Sequence, residues 1–446
     1  MKRLPILSLI LILLACSAQQ SGEENQEPKP KKTTIAEIEA GIRNYIDLET
    51  ENSGGVFPLI HSRDTMNLKL VRVHTEYLSN LGPKRHFACV DLADEQGDVY
   101  DVDFFLEGKP GSMKVTETTV HKKNGKPFYS WKQQKDKTWN RVPIDSSDKT
   151  LMGVIEGKDA FIFRYEAVVP KLTDSARIWI PIASSNDFQT VSLVERAPQN
   201  RGELMREKNF GNQYWYMELG PKDSDMEILV EYDVTRFEKG PYEDRGSDPA
   251  DYLGSSPLLP TGGRFNTILD EVLVGHRTDS KLMQARAIYD FVIDTVRYRK
   301  AGEYGTGDAN YACDSGSGNC TEFHSYFISL ARSAGIPARF AIGAAIPSER
   351  NEGGVNGYHC WAEFYADGKW WPVDISEADK YSALSTYYFG HHPANRIEFS
   401  RGRDLTLSPA TSSGSIPFFA YPVLEEQGVE RSTQNTFTFE RKKKIS

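Results

Sequence analysis

The chain has 446 residues, a formal net charge of −9, 39% hydrophobic and 26% charged residues. That length exceeds one ordinary core and predicts several domains, in proportions usual for a globular protein. The acidic balance argues against a nucleic-acid partner, and the short basic run at 441–444 reads as a solvated end.

Residues 1–16 read as a targeting segment: Lys2 and Arg3 form a basic start, and the apolar run 4–14 is too short to span a membrane comfortably. Leu13-Leu14-Ala15-Cys16 resembles the lipobox of bacterial lipoproteins. That resemblance implies lipidation at Cys16 and a lipid anchor in the bacterial cell envelope. Ser17 is compatible with the outer membrane. Residues 17–33 are rich in Ser, Gln, Glu, Pro and Lys, cannot bury a core, and predict a flexible tether.

Residues 34–148 predict a small α+β domain. Thr34 and Glu37 have capping-box spacing, and Ile35, Ile38, Ile42, Tyr45 and Ile46 recur at helical intervals. Alternating or aromatic runs at 68–73, 86–92, 100–106, 113–121 and 128–133 follow, punctuated by Gly97, Gly108, Gly111 and Gly125. His74, Cys89 and His121 lie scattered here without close ligand spacing, so no metal is expected.

Residues 149–242 predict a β-sandwich domain. Phe161, Phe163, Tyr165, Ala167 and Val169 alternate strictly, and strand-like runs follow at 177–182, 190–195, 213–219 and 227–237. Residues 243–430 return to α+β, and 431–446 read as a tail. Asp279 is the expected cap of a helix with Leu282, Ala285, Tyr289, Val292, Ile293 and Val296 on its apolar face. A Gly-, Asp- and Tyr-rich loop at 299–318 then precedes Cys320 and predicts the wall of a site.

Cys320 falls in the first turn of a helix that Asn319 can cap, with Glu322 completing a capping-box-like pattern. Unpaired N–H groups there favour a thiolate. His359 lies on one predicted strand and Asp374 on the next. If Asp367-Gly368 is the hairpin turn, Trp361 faces Asp374, and His359 is the diagonal neighbour on the same face. The carboxylate can then hold one ring nitrogen while the other meets the thiol. His324, four residues after Cys320, fits a packing or supporting role. Zinc on His324, Cys313, Cys320, His359 and Cys360 is disfavoured because CxxC spacing is missing. A Cys313–Cys360 disulfide is one open pairing in an exported protein.

The stretches Gly318-Asn319-Cys320-Thr321-Glu322-Phe323-His324, Gly335-Ile336-Pro337-Ala338-Arg339, Tyr358-His359-Cys360-Trp361-Ala362-Glu363 and Trp371-Pro372-Val373-Asp374 resemble the transglutaminase-like superfamily, whose core is papain-like. Tyr387-Tyr388-Phe389-Gly390 and Gly402-Arg403-Asp404-Leu405 are similar to bacterial members. The resemblance implies Cys320 as nucleophile, His359 as general base and acid, and Asp374 as its orienter, with a protein or peptide substrate and no cofactor. The Cys320 N–H would help stabilise the oxyanion, with Tyr304, Tyr311 and Trp361 as candidates for the second donor. No calcium-loop signature is present. Hydrolysis is favoured over transfer to an amine. The competing class is a non-catalytic binding lipoprotein that uses the same fold as a platform; oligomeric state is open.

Overall fold

Thr34 starts a helix as its spacing predicts. Its side chain accepts from Glu37 N–H while Glu37 answers the Thr34 N–H, and the helix runs Ile35–Asn52 with Ile38, Ile42 and Ile46 buried. The computed structural model describes residues 33–61, 64–82, 84–133, 139–143, 153–300, 302–348, 350–380 and 384–442. Cys16, the targeting segment and nearly all of the tether lie outside the described residues.

The Ile35–Asn52 helix covers one face of an antiparallel sheet in which Asp64–Val73, Arg85–Ala93, Val99–Glu107 and Lys114–Lys123 lie side by side. Strand period two explains the split between its faces. Val90, Leu92, Val102 and Phe104 point at the helix and share its core. Cys89, Asp91, Asp101 and Asp103 are out of step with them, so this second face is polar, yet all four are buried. What buries it includes the Lys281–Thr295 helix, whose Arg286 reaches Asp91 at 3.2 Å, while Arg72 meets Asp290 at 3.1 Å.

Lys158–Val168 keeps strict alternation and pairs along its whole length with Glu227–Phe237. Two five-stranded sheets form the sandwich among the described residues, and Phe161, Phe163, Ile178, Ile180, Trp215 and Val230 fill the core between them. One expectation is corrected here. Residues 434–441 are not tail: Gln434–Arg441 is an interior strand, between Lys158–Val168 and Glu352–Val355. Phe437 and Phe439 are buried and alternate with threonines, a period-two signal short enough to pass for a polar end. Val423–Glu426 and Val429–Arg431 likewise complete the second sheet. The sandwich is therefore completed by strands from within residues 243–430 as well as from the expected tail, so it does not end at residue 242. The basic end is partly paired as well, Arg441 with Asp159 at 3.0 Å and Lys442 with Asp233 at 2.5 Å.

A four-stranded sheet orders Lys369–Val373, His359–Ala366, Ala338–Ala345 and Arg396–Arg401. The Cys320–Ser333 helix packs on it, with Phe327 set edge-on to Phe364 at 6.1 Å. The cap of the Lys281–Thr295 helix is Ser280, one residue beyond the expected Asp279, which instead binds His276 at 2.8 Å. A buried charge network ties the chain leaving the sandwich to the sheet: Glu363 accepts from Lys239 at 2.7 Å, Arg339 at 2.8 Å and Tyr242 at 3.0 Å. No helix of the described residues is long and apolar enough to cross a membrane.

Candidate active site

Asn319 and Glu322 form the capping box their spacing predicts. Asn319 Oδ1 accepts from Thr321 N–H at 2.8 Å and Glu322 Oε2 from Asn319 N–H at 2.9 Å. Glu322 does more than cap. Its other oxygen accepts from Gly305 N–H and Gly307 N–H, each at 2.7 Å, pinning the glycine-rich loop against the start of the Cys320 helix. Gly318 makes room for this: a Cβ there would stand 2.4 Å from Glu322 Cβ. Arg403 holds the same loop by donating to Gly307 O at 2.9 Å.

The hairpin register matches the sequence expectation, with Ala366 opposite Lys369, Tyr365 opposite Trp370 and Ala362 opposite Val373. Asp374 follows directly, and His359 Nε2 donates to Asp374 Oδ2 at 2.7 Å. That leaves Nδ1 for the Cys320 sulfur, with which His359 shares a side-chain hydrogen bond. The structure thus brings the three predicted side chains together.

Two further groups stand on Asp374, of which Arg396 escaped sequence reasoning. Arg396 donates to Oδ2 at 2.5 Å. His324 lies 3.5 Å from Oδ1, and its tautomer follows from its neighbours. Ile375 N–H donates to Nε2 at 3.2 Å, so the proton sits on Nδ1, 2.6 Å from the Cys320 carbonyl that accepts it. The expected supporting role for His324 therefore has a definite form: it ties the nucleophile's helix to the strand end carrying Asp374. Arg396 gave no local signal, being one of several charged or polar residues on the strand Arg396–Arg401.

The electrostatics follow from these contacts. Burial opposes ionisation of Asp374, but His359 and Arg396 outweigh it and hold the carboxyl well below the usual carboxylate range. Burial also works against a charged His359, and the Asp374 charge overcomes it, pushing the imidazole up to about 9. Burial would raise the Cys320 thiol, yet hydrogen bonds from Cys360 and His359 bring it well below the ordinary thiol range. Cys360 moves the opposite way, raised by its own burial and by Cys320. Both shifts favour a thiolate beside an imidazolium. The four described cysteines, Cys89, Cys313, Cys320 and Cys360, are free thiols, so the Cys313–Cys360 bridge is not formed.

Cys320 opens on a cleft of about 290 Å³ lined by Tyr298, Lys300, Tyr304, Asn319, Tyr358 and Tyr421, among others. Of the three residues considered for a second oxyanion donor, Tyr304 lines the cleft, whereas Trp361 is fully buried against His359, His392 and Arg396.

Comparison with known proteins found the following similarities. An uncharacterized protein of Haemophilus influenzae is 28% identical over 317 residues, covering 60% of this chain and 85% of its own. A structure from Cytophaga hutchinsonii, provisionally named a cysteine protease, covers 64% of this chain and 99% of its own at 13% identity and TM-score 0.40. Another from Parabacteroides distasonis, provisionally named a protease, covers 65% and 63% at 10% identity and TM-score 0.23. The sequence profile of the Transglutaminase-like superfamily matches residues 267–375, a span that includes Cys320, His359 and Asp374. The chain carries, at residues 267–375, a domain of the transglutaminase-like superfamily.

Proposed function

We propose that this protein is a cysteine-dependent amide hydrolase acting on peptides or proteins, held in the bacterial envelope, at the outer membrane, by lipid on Cys16. The observation that carries the catalytic reading is the line of contacts from Cys320 through His359 to Asp374, opening on a cleft. The anchoring rests on the sequence around Cys16 alone.

In the reaction, the Cys320 thiolate attacks the carbonyl carbon of the scissile amide and a C–S bond forms. The Cys320 N–H, in the first turn of its helix, supports the charge on the carbonyl oxygen. The C–N bond then breaks, and His359 gives its Nδ1 proton to the departing amine. Water attacks the thioacyl carbon and loses a proton to His359. The C–S bond breaks, the carboxylic acid leaves, and the thiolate–imidazolium pair is restored. Asp374 stays ionised throughout, because Arg396 and His359 both hold it. Transfer to a primary amine would differ only in the second acceptor, and water is the acceptor always present.

Product masses from a peptide mixture test this, measured with and without an added primary amine. Hydrolysis predicts a gain of one water per cleaved bond, unchanged by the amine and abolished in Cys320→Ala. Amine-bearing products would assign transfer instead. Loss of every product in the wild type, with Cys320 no more reactive than the other thiols, would support the non-catalytic binding protein.

A further inference from the structure

A second cluster of metal-capable side chains lies outside the candidate active site, on the polar face of the N-terminal sheet. His74, Cys89 and Asp101 each offer one donor atom, and these atoms lie within 4.8 Å of one another, as do those of Asp101, Asp103 and His121. Scattered in the sequence, His74 and Cys89 meet at Asp101, which His121 also approaches. They sit on or beside neighbouring antiparallel strands, and pairing brings residues 47 positions apart in sequence to one place.

We propose that Cys89, His74 and Asp101, with His121 as the fourth donor, bind a divalent cation of the zinc class. Sulfur, imidazole and carboxylate together are the donor set such an ion prefers. Bonds of about 2.0–2.3 Å in a tetrahedron hold donors roughly 3.3–3.8 Å apart. Cys89 Sγ stands 3.0 Å and His121 Nδ1 3.7 Å from the same oxygen, Asp101 Oδ1. His74, Cys89 and Asp101 already lie together, and His121, which shares only Asp101 with them, would have to swing toward that group to complete a shell.

The surroundings already hold these donors from behind. Asp91 lies 3.0 Å from His74 Nε2, Lys122 donates to Asp101 Oδ2 at 2.9 Å, and Tyr129 stacks on the His121 ring at 4.7 Å. Outer contacts of this kind orient ligands and raise the basicity of an imidazole. Donors on paired strands are also better fixed than donors on loops. Charge points the same way, since three buried carboxylates crowd this face. On binding, the Cys89 thiol releases its proton to solvent, and the thiolate and the ion together add one positive charge there. Because Arg286 reaches this face through Asp91, the ion would brace the sheet where the Lys281–Thr295 helix packs.

The test is titration of the full chain, treated with chelator, with Co2+ as the probe and Zn2+ as competitor. One equivalent of Co2+ should give a thiolate-to-metal charge-transfer band that Zn2+ removes. The band should vanish in Cys89→Ser and persist in Cys320→Ser. No stoichiometric band in the wild type would overturn the proposal, as would a band that survives Cys89→Ser or depends on Cys320. Should Cys89→Ser not fold, His121→Gln at the rim serves instead, with Co2+ affinity expected to fall at least tenfold; an unchanged affinity would refute the four-donor site.

Discussion

Cys320 and Cys89 are both buried thiols beside a histidine and an aspartate, and their surroundings drive them in opposite directions. Cys320 sits at a helix start and receives hydrogen bonds from His359 and Cys360, so its proton leaves easily. Cys89 donates its own proton to Asp101, and burial together with the charges of Asp101, Asp103 and Asp91 pushes the thiol far up. The same three residue types thus favour a thiolate in one place and, without a bound ion, a protonated thiol in the other. The order of contacts decides between them. At Cys320 the imidazole stands between sulfur and carboxylate, whereas at Cys89 the carboxylate touches the sulfur directly.

Breaking the order at Cys320 should have the largest effect. His359→Ala removes both the proton acceptor and the charge that favours the thiolate. Labelling of Cys320 by a small alkylating agent at pH 6 should fall on the order of 100-fold, while Cys89 in metal-free protein stays slow in both variants. Equal labelling of the two cysteines in the wild type would remove the distinction drawn between them. Glu363→Ala is next. It leaves Lys239 and Arg339 buried without their shared carboxylate, and should destabilise the fold by about 3–5 kcal/mol, as read by urea denaturation.

The pH profile sharpens the comparison. Folding raises His359 from 6.5 to about 9, so the stabilisation from its protonated form is fully present below about 6.5 and is lost as pH rises through about 9. Turnover needs that proton for the leaving amine and should decline roughly tenfold per pH unit above about 9. Alkylation needs only the thiolate and should not decline there. A parallel fall in both rates would contradict the assignment of His359 as acid. The smallest effect belongs to the caps: Thr34→Ala should cost about 1 kcal/mol of stability without altering Cys320 labelling. Asn319→Ala, by a similar loss at the other cap, should slow labelling, because that cap orients the nucleophile's own turn.

Sequence legibility followed the range of the interactions involved. The helix at Thr34, the helix at Cys320 and the hairpin that aligns His359 with Asp374 rest on contacts within a few residues or across one tight turn. Capping chemistry and strand alternation therefore reveal them in a linear string. The interior strand Gln434–Arg441 was hidden because its signal is two phenylalanines, and its partners lie far away in sequence. Arg396 and Cys360 were hidden as participants for the same reason. Nothing local marks an arginine that meets Asp374 across a sheet, or a thiol that turns toward another on a neighbouring helix.

What the sequence determined alone was the order of the candidate site: a thiol at a capped helix start and a histidine sharing a strand face with an acid, each set by local backbone geometry. Tertiary structure alone decided which chain segments close the sandwich, which cation steadies Asp374, and that His74 and Cys89 meet at Asp101, which His121 also approaches. Strand pairing joins residues whose separation along the chain carries no periodic trace, so those meetings exist only once the sheets have formed.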